Sequence, residues 1–169
     1  MSSKTFYIVE ADRHSVGNIG GARIMAKNGN PLNRSATHLL HKAGQRAADT
    51  FFAETLDGGP TPRQFAVLMV VADEEGLTQT ELVERTGVDR STLADIVARL
   101  LSRGLIQRRR AKGDARAYAI KLSPQGAKAL RQAQPGASAA DKRLLANLPA
   151  ARRQEFLESL SMIVAAAEE

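Results

Sequence analysis

Apolar residues recur at spacings of three and four along most of the chain after residue 33, which is the period of helices buried on one face. The first such stretch begins at Asn33 and runs to about Leu56, where Asp57-Gly-Gly-Pro60 stops it. Its apolar face consists of Ala36, Leu40, Ala43, Ala47 and Phe51. Residues 1–33 are rich in Gly, Asn and Ser and show no sustained period. We therefore predict a flexible N-terminal extension there, in which a short strand over 6–9 is an option.

Three helices follow, each with its own start signal. Thr61 and Gln64 form a capping box around Pro62, and the apolar residues behind it predict a buried stripe of Phe65, Leu68, Met69 and Ala72. Thr78 and Glu81 form a second capping box for a short helix that ends near Thr86. After Gly87, a helix capped by Asp89 or Ser91 runs to Arg103-Gly104 and faces inward with Leu93, Ile96, Val97 and Leu100.

The remainder predicts a hairpin and two more helices. Two extended stretches, 105–112 and 115–122, are joined by Gly113-Asp114. Ser123-Pro124 starts a helix to about Asn147, with an optional kink at Pro135-Gly136, and a last helix follows Pro149. We expect a mainly α-helical fold with a small β-hairpin wing. The winged helix-turn-helix is expected over 61–122, and a helical dimerisation region over 34–57 and 123–169.

The composition removes several classes of protein. The chain has 169 residues, no Cys and seven aromatic residues, which fits one globular domain without disulfides, thiolate metal sites or iron–sulfur clusters. No apolar run is long enough for a membrane helix, and acidic and basic residues interrupt the N-terminus where a secretory signal would lie. We expect a cytoplasmic protein without a membrane partner.

The positive charge is concentrated in one segment. The whole chain carries +6, whereas residues 85–121 contain ten basic and three acidic residues, a net +7. A solvated arginine-rich face is the simplest explanation of such a cluster. The local structure favours duplex DNA instead, because a helix-turn-helix followed by a basic hairpin has the parts that reach a major groove and the neighbouring phosphates.

The DNA-contacting residues are expected on the polar side of these elements. Asp114 at the hairpin tip is expected to pair with Arg116 and to orient its guanidinium for the minor groove. The full set that we predict is Thr78, Gln79, Arg90, Ser91, Thr92, Asp95, Arg99, Arg108, Arg109, Arg110, Lys112, Asp114 and Arg116.

Residues 61–126, and more loosely 34–165, resemble the multiple antibiotic resistance regulator (MarR) family of winged-helix transcription factors. The stretches that carry the resemblance are Thr61–Leu68, Leu77–Leu82, Gly87–Leu93, Leu100–Ile106, Gly113–Arg116 and Leu122–Gly126. The resemblance implies a homodimer interlocked through its first and last helices, a recognition helix starting near Asp89, and a wing with an Asp-x-Arg motif at 114–116. It also implies repression that a small molecule relieves, and the extension at 1–33 is longer than most members have.

The amphipathic end helices agree with a dimer, because a winged helix of about 70 residues cannot cover both; a monomeric helical cap is the other option. The dimer residues that we predict are Leu40, Phe51, Phe156, Leu160, Ile163 and Val164. A two-fold dimer predicts a pseudo-palindromic operator with half-sites about one helical turn apart.

A cationic stripe outside the DNA-binding segment is the candidate effector site, although a merely solvated face would show the same pattern. It consists of Arg34, His38, Lys42 and Arg46, spaced by four residues, with His41 beside it. The match is strongest to members that control aromatic-acid degradation, some of which respond to hydroxycinnamoyl-CoA. We therefore expect an aromatic acid or its CoA thioester, with Phe52, Phe65 and Met69 on its apolar part and Arg23 and Lys27 near a CoA phosphate. His38 and His41 could also hold a metal, but no third ligand is apparent and we predict neither metal nor cofactor.

Three functions remain to be compared. A ligand-released repressor is the leading hypothesis, and an architectural winged-helix protein without an effector is the alternative. Seven aromatic residues, most at core-facing positions, leave no stacking platform for single strands or RNA. An enzyme is disfavoured, because the sequence has no nucleophile–base pair, HExxH, P-loop or GxGxxG pattern.

Overall fold

The computed structural model describes residues 30–111 and 114–165, with side chains except at 111 and 114–117. The predicted strand over 6–9, as well as Arg23 and Lys27, lies outside the described residues. The chain divides into two compact units, Met1–Arg46 and Ala47–Glu169. Among the described residues, no helix is long and apolar enough to cross a membrane.

The first helix starts later than its apolar period suggests. A 3₁₀ turn, Pro31–Arg34, precedes helix α1, Ala36–Glu54. The predicted start at Asn33 is therefore wrong, and Arg34 lies in the turn rather than in α1. The reason is local: the Asn30 side chain caps the turn by accepting the N–H of Leu32 at 3.0 Å, and Ser35 is extended at φ −88° and ψ 113°.

Helices α2, Pro62–Asp73, α3, Gln79–Thr86, and α4, Arg90–Ser102, confirm the three predicted helices. Both predicted capping boxes form. The predicted face of α2 is wrong, however, because α2 buries Gln64, Val67, Leu68 and Val71. Met69 is 41% exposed, Ala72 is exposed and Phe65 is half-buried, so the buried stripe is rotated by about one residue.

Strands β1, Ile106–Ala111, and β2, Asp114–Leu122, form the predicted antiparallel hairpin. Ile120 of β2 also bridges to Leu77, with its N–H donating to the Leu77 carbonyl at 2.9 Å. Helix α5, Pro124–Leu145, continues through Pro135, and a 3₁₀ turn, Ala150–Arg152, precedes helix α6, Arg153–Ala165. The fold is thus mainly helical with a two-stranded wing, as predicted.

The core joins α2, α3, α4, the hairpin and the start of α5. Its fully buried members include Leu68, Leu82, Leu93, Leu100 and Ile120. α5 approaches the α4–β1 connection so closely at Gly126 that a Cβ there would lie 1.9 Å from the Leu105 carbonyl oxygen. This contact ties the start of α5 to the segment that links α4 to the wing.

The end of α1 packs on α5 within the second unit. Phe51 is 8% exposed and contacts Ala137 and Ala140, and the Arg143 Nη1 donates to Glu54 Oε1 at 2.6 Å. Phe51 therefore belongs to the core of its own chain, although the sequence suggested it for a dimer interface.

Candidate nucleic-acid interface

The turn between α3 and α4 is fixed by local chemistry at both of its ends. Gly87 has a left-handed backbone (φ 62°), and its N–H donates to the Val83 carbonyl at 2.9 Å. Asp89 then caps α4: its Oδ1 accepts from the Thr92 N–H at 2.9 Å and from the Ser91 hydroxyl at 2.8 Å. Of the two predicted caps, Asp89 is the one used, and the angle at which α4 leaves the turn is set within five residues.

The same hydrogen bonds stabilise the charged form of Asp89. Hydrogen bonding by Thr92, through its side chain and its backbone, and then by Ser91, lowers the pKa of Asp89 from 3.8 to about 2. A carboxylate at the first turn of α4 also interacts favourably with the positive end of the helix dipole. Asp89 is therefore ionised at every physiological pH, and it positions the helix rather than contacting a negatively charged phosphate.

α4 presents a polar outer face opposite its buried one. Leu93, Ile96, Val97 and Leu100 are buried, as the apolar period predicts. Arg90, Ser91, Asp95 and Arg99 are exposed, and Thr92 is half-buried with its N–H used in the cap. An exposed helix face of this width, with small side chains between the charged ones, fits a major groove about 12 Å wide.

Thr78 and Gln79, at the start of α3, are half-buried. Thr78 is already engaged within the chain: its N–H donates to Glu81 Oε2 at 2.6 Å, and its hydroxyl donates to the same oxygen at 2.8 Å. Hydrogen bonding by the backbone and side chain of Thr78 lowers the pKa of Glu81. A contact from Thr78 to a phosphate would have to share a hydroxyl that the capping box already uses.

The wing carries three consecutive exposed arginines. Arg108, Arg109 and Arg110 of β1 lie opposite Ile120, Ala119 and Tyr118 of β2. The register shifts between Arg110 and Ala111, so the hairpin is irregular near its tip. Arg108 lies over the Tyr118 ring, 6.0 Å from its centroid, a cation–π contact that limits the directions its guanidinium can take.

The tip of the wing is only partly described. Lys112 lies outside the described residues, and so do the side chains of Asp114 and Arg116. The predicted ion pair between Asp114 and Arg116 therefore stays a prediction.

Three cations of the basic segment are used inside the protein, which the sequence did not reveal. Arg85 Nη2 lies 2.6 Å from Glu74 Oε2, and Lys121 Nζ lies 2.5 Å from Glu75 Oε2. The Arg103 guanidinium donates to the backbone after α1. The charge available to a polyanion is therefore concentrated on α4 and the wing, at Arg90, Arg99 and Arg108–Arg110, for which the described residues offer no acidic partner.

The predicted effector residues fall in both units. Arg34 lies in the 3₁₀ turn, while His38, His41, Lys42 and Arg46 lie on the part of α1 that belongs to the first unit. Among the described residues, no group of three or more His, Asp or Glu could hold a metal ion. In the second unit, Phe65 packs against Phe51 with ring centroids 5.6 Å apart, Phe52 is 54% exposed, and Met69 is exposed.

The predicted dimer residues of α6 are not covered by their own chain. No residue of α6 is buried; Phe156 and Leu160 are half-buried, whereas Ile163 and Val164 are exposed. On α1, Leu40 is also exposed.

Comparison with known proteins agrees with this arrangement. The sequence profile of the MarR family matches residues 59–117. The transcriptional repressor NicR of Pseudomonas putida is 33% identical over 127 residues, covering 75% of this chain and 80% of NicR. The crystal structure of the regulator PcaV of Streptomyces coelicolor with its natural ligand superposes with a TM-score of 0.76 at 28% identity, covering 83% of this chain and 99% of PcaV.

A second solved structure links DNA binding to a small aromatic acid. BpsR of Bordetella bronchiseptica, whose DNA binding is regulated by 6-hydroxynicotinic acid, superposes with a TM-score of 0.70 at 26% identity, covering 76% of this chain and 97% of BpsR. The relatives share nearly their whole length with this chain, including α4 and the wing. The chain belongs to the MarR family and is a DNA-binding transcription regulator, not an enzyme.

Proposed function

We propose that this regulator is a homodimeric repressor that leaves its operator when an aromatic acid, or the CoA thioester of one, binds. The observation that carries the DNA-binding half is the combination of a polar outer face on α4 with three exposed wing arginines that have no acidic partner among the described residues. The relatives support the other half, because NicR is a repressor and BpsR responds to an aromatic acid.

The dimer is supported by the apolar surface of α6. Leu157 is 43% exposed, Met162 67%, Ile163 55% and Val164 69%. An isolated 13-residue helix is marginal in water, so α6 needs a covering surface to remain folded. A second copy of the chain would supply it, and a two-fold dimer would place two α4 helices on half-sites about one DNA turn apart.

The effector class is supported by side-chain chemistry on both units. His38, His41 and Lys42 offer cationic or polar groups for a carboxylate or a CoA phosphate, together with Arg34 and Arg46. Phe52, Phe65 and Met69 offer apolar surface for a ring. A ligand can shift the repressor away from DNA only by as much as it prefers the form that cannot bind the operator.

Calorimetry with the full chain tests this proposal. We expect p-coumarate or p-coumaroyl-CoA to bind with a Kd below the millimolar range and to lower the affinity for the operator in a fluorescence anisotropy assay. The Lys42→Gln variant should bind the ligand more weakly, whereas Lys142→Gln, an equal change of charge at an exposed position of α5, should not. Absence of binding by both compounds below millimolar concentration would refute the proposed effector class.

A further inference from the structure

A cavity of about 340 Å³ lies in the second unit, between the loop that follows α1, the end of α4 and the first half of α5. Its volume is within the range of small-molecule sites, roughly 300–1,000 Å³. None of the residues proposed above for the effector lines it. It is therefore independent of that proposal.

The walls of the cavity combine apolar surface with cationic and amide groups. Leu56, Ala129 and Ala133 contribute apolar atoms, while Gln125 and Gln132 contribute amides. α5 supplies these residues from one face, since they are spaced by three and four along the helix. The arrangement suits a compact apolar body with a polar group at one end.

The charges of the lining favour an anion. The cations are Arg103 and Lys128, and Asp57 is the one acidic residue of the described lining. Lys128 forms no ion pair with any described residue. The Arg103 guanidinium donates only to neutral oxygens, to the Gly58 carbonyl at 2.7 Å and to Gln64 Oε1 at 3.3 Å. A carboxylate accepts a hydrogen bond from a guanidinium more strongly than a carbonyl or an amide does.

We propose that this cavity binds a small organic monocarboxylate, with its carboxylate between Arg103 and Lys128, and that occupancy loosens the recognition helix α4. The connection to α4 is direct, because Arg103 is the residue at which α4 ends. Its side chain ties that end to the loop after α1 through Gly58 and Gly59. A carboxylate that draws the guanidinium into the cavity replaces those two carbonyls and frees the end of α4 from the loop.

The tie also reaches the start of α2. Gln64 is 7% exposed, and its Oε1 accepts both from Arg103 and from the Thr61 N–H, the latter at 3.2 Å. Arg103 thus connects α4 to the loop and to the capping box of α2 at one point. A ligand that competes for this one guanidinium changes three attachments of α4 together, which makes the cavity a control point for DNA binding.

The probe for the test is benzoate, and benzamide is its uncharged match. Both are titrated into the ¹⁵N-labelled full chain while backbone amide shifts are followed, and DNA affinity is measured at the same concentrations. We expect benzoate, and not benzamide, to shift the amides of Gly58, Gly59 and Ala129. Lys128→Gln should weaken benzoate binding about fivefold, whereas Lys142→Gln on the same helix should leave it unchanged. Saturating benzoate should lower DNA affinity in the wild type.

Three results would overturn the proposal. They are no benzoate binding up to about 10 mM, shifts confined to residues outside the cavity, and equal binding by the wild type and Lys128→Gln. Benzoate that binds at the cavity without any change in DNA affinity would overturn the link to α4. Failure here leaves the effector proposal standing, because p-coumarate and the Lys42→Gln variant test that separately.

Discussion

The wing arginines allow a prediction in which charge number and charge position are separated. Arg110 is the outermost wing arginine with a described side chain; it is exposed and has no acidic partner among the described residues. Arg85 belongs to the same basic segment, but its guanidinium lies 2.6 Å from the Glu74 carboxylate. Arg110→Gln and Arg85→Gln remove the same charge, and we expect only the first to remove a contact to the DNA backbone.

The magnitude follows from counterion release. Each phosphate contact contributes about −0.9 to the slope of log affinity against log salt. A dimer with one Arg110 on each wing loses two contacts, so the slope should become less steep by about 1.8. At about 0.1 M salt this corresponds to roughly a 60-fold loss of affinity. Arg85→Gln should change the slope by less than about 0.5, since its charge is already neutralised locally.

Fluorescence anisotropy with a labelled operator duplex, selected from random sequences, measures both slopes between about 0.05 and 0.3 M salt. Equal slopes for the two variants would refute the assignment of Arg110 to the backbone contact. They would show that the segment acts through its summed charge, as a merely solvated basic face would.

Three further predictions concern packing, pH and the wing tip. Gly126→Ala should lower the free energy of unfolding in urea by about 1–3 kcal/mol, because its Cβ would lie 1.9 Å from the Leu105 carbonyl oxygen; Gly44→Ala, with nothing within 4 Å, should not. Because the pKa of Asp89 is lowered to about 2, its contribution to stability should be fully present above its ordinary pKa and be lost as the pH falls through 2. The stability difference between wild type and Asp89→Asn should shrink over that window, which acid titration followed by circular dichroism detects. Asp114→Ala should weaken operator binding in anisotropy despite removing a negative charge, and tighter binding would contradict its role in orienting Arg116.

The elements that sequence could predict are those whose chemistry is local. The boundaries of α3 and α4 follow from Thr78, Glu81, Gly87 and Asp89, which lie within a few residues of the bonds that they make. The choice between Asp89 and Ser91 as cap needed the geometry, because both side chains are capable and Ser91 donates to Asp89 instead.

The features that sequence could not predict depend on partners far along the chain. α2 turns Gln64 rather than Met69 inward, because the Gln64 amide meets Arg103, which lies 39 residues later. Glu75 neutralises Lys121 across 46 residues, so the size of the free basic surface could not be counted from composition. No periodicity encodes such pairings.

The most direct test of the central claim compares one operator with a shuffled duplex of the same composition at about 0.15 M salt. A sequence-specific repressor should bind the operator at least about 10³-fold more tightly, and a saturating aromatic acid or acyl-CoA effector should remove most of that preference. An affinity ratio near one, unchanged by the effector, would contradict the account and would indicate an architectural DNA-binding protein.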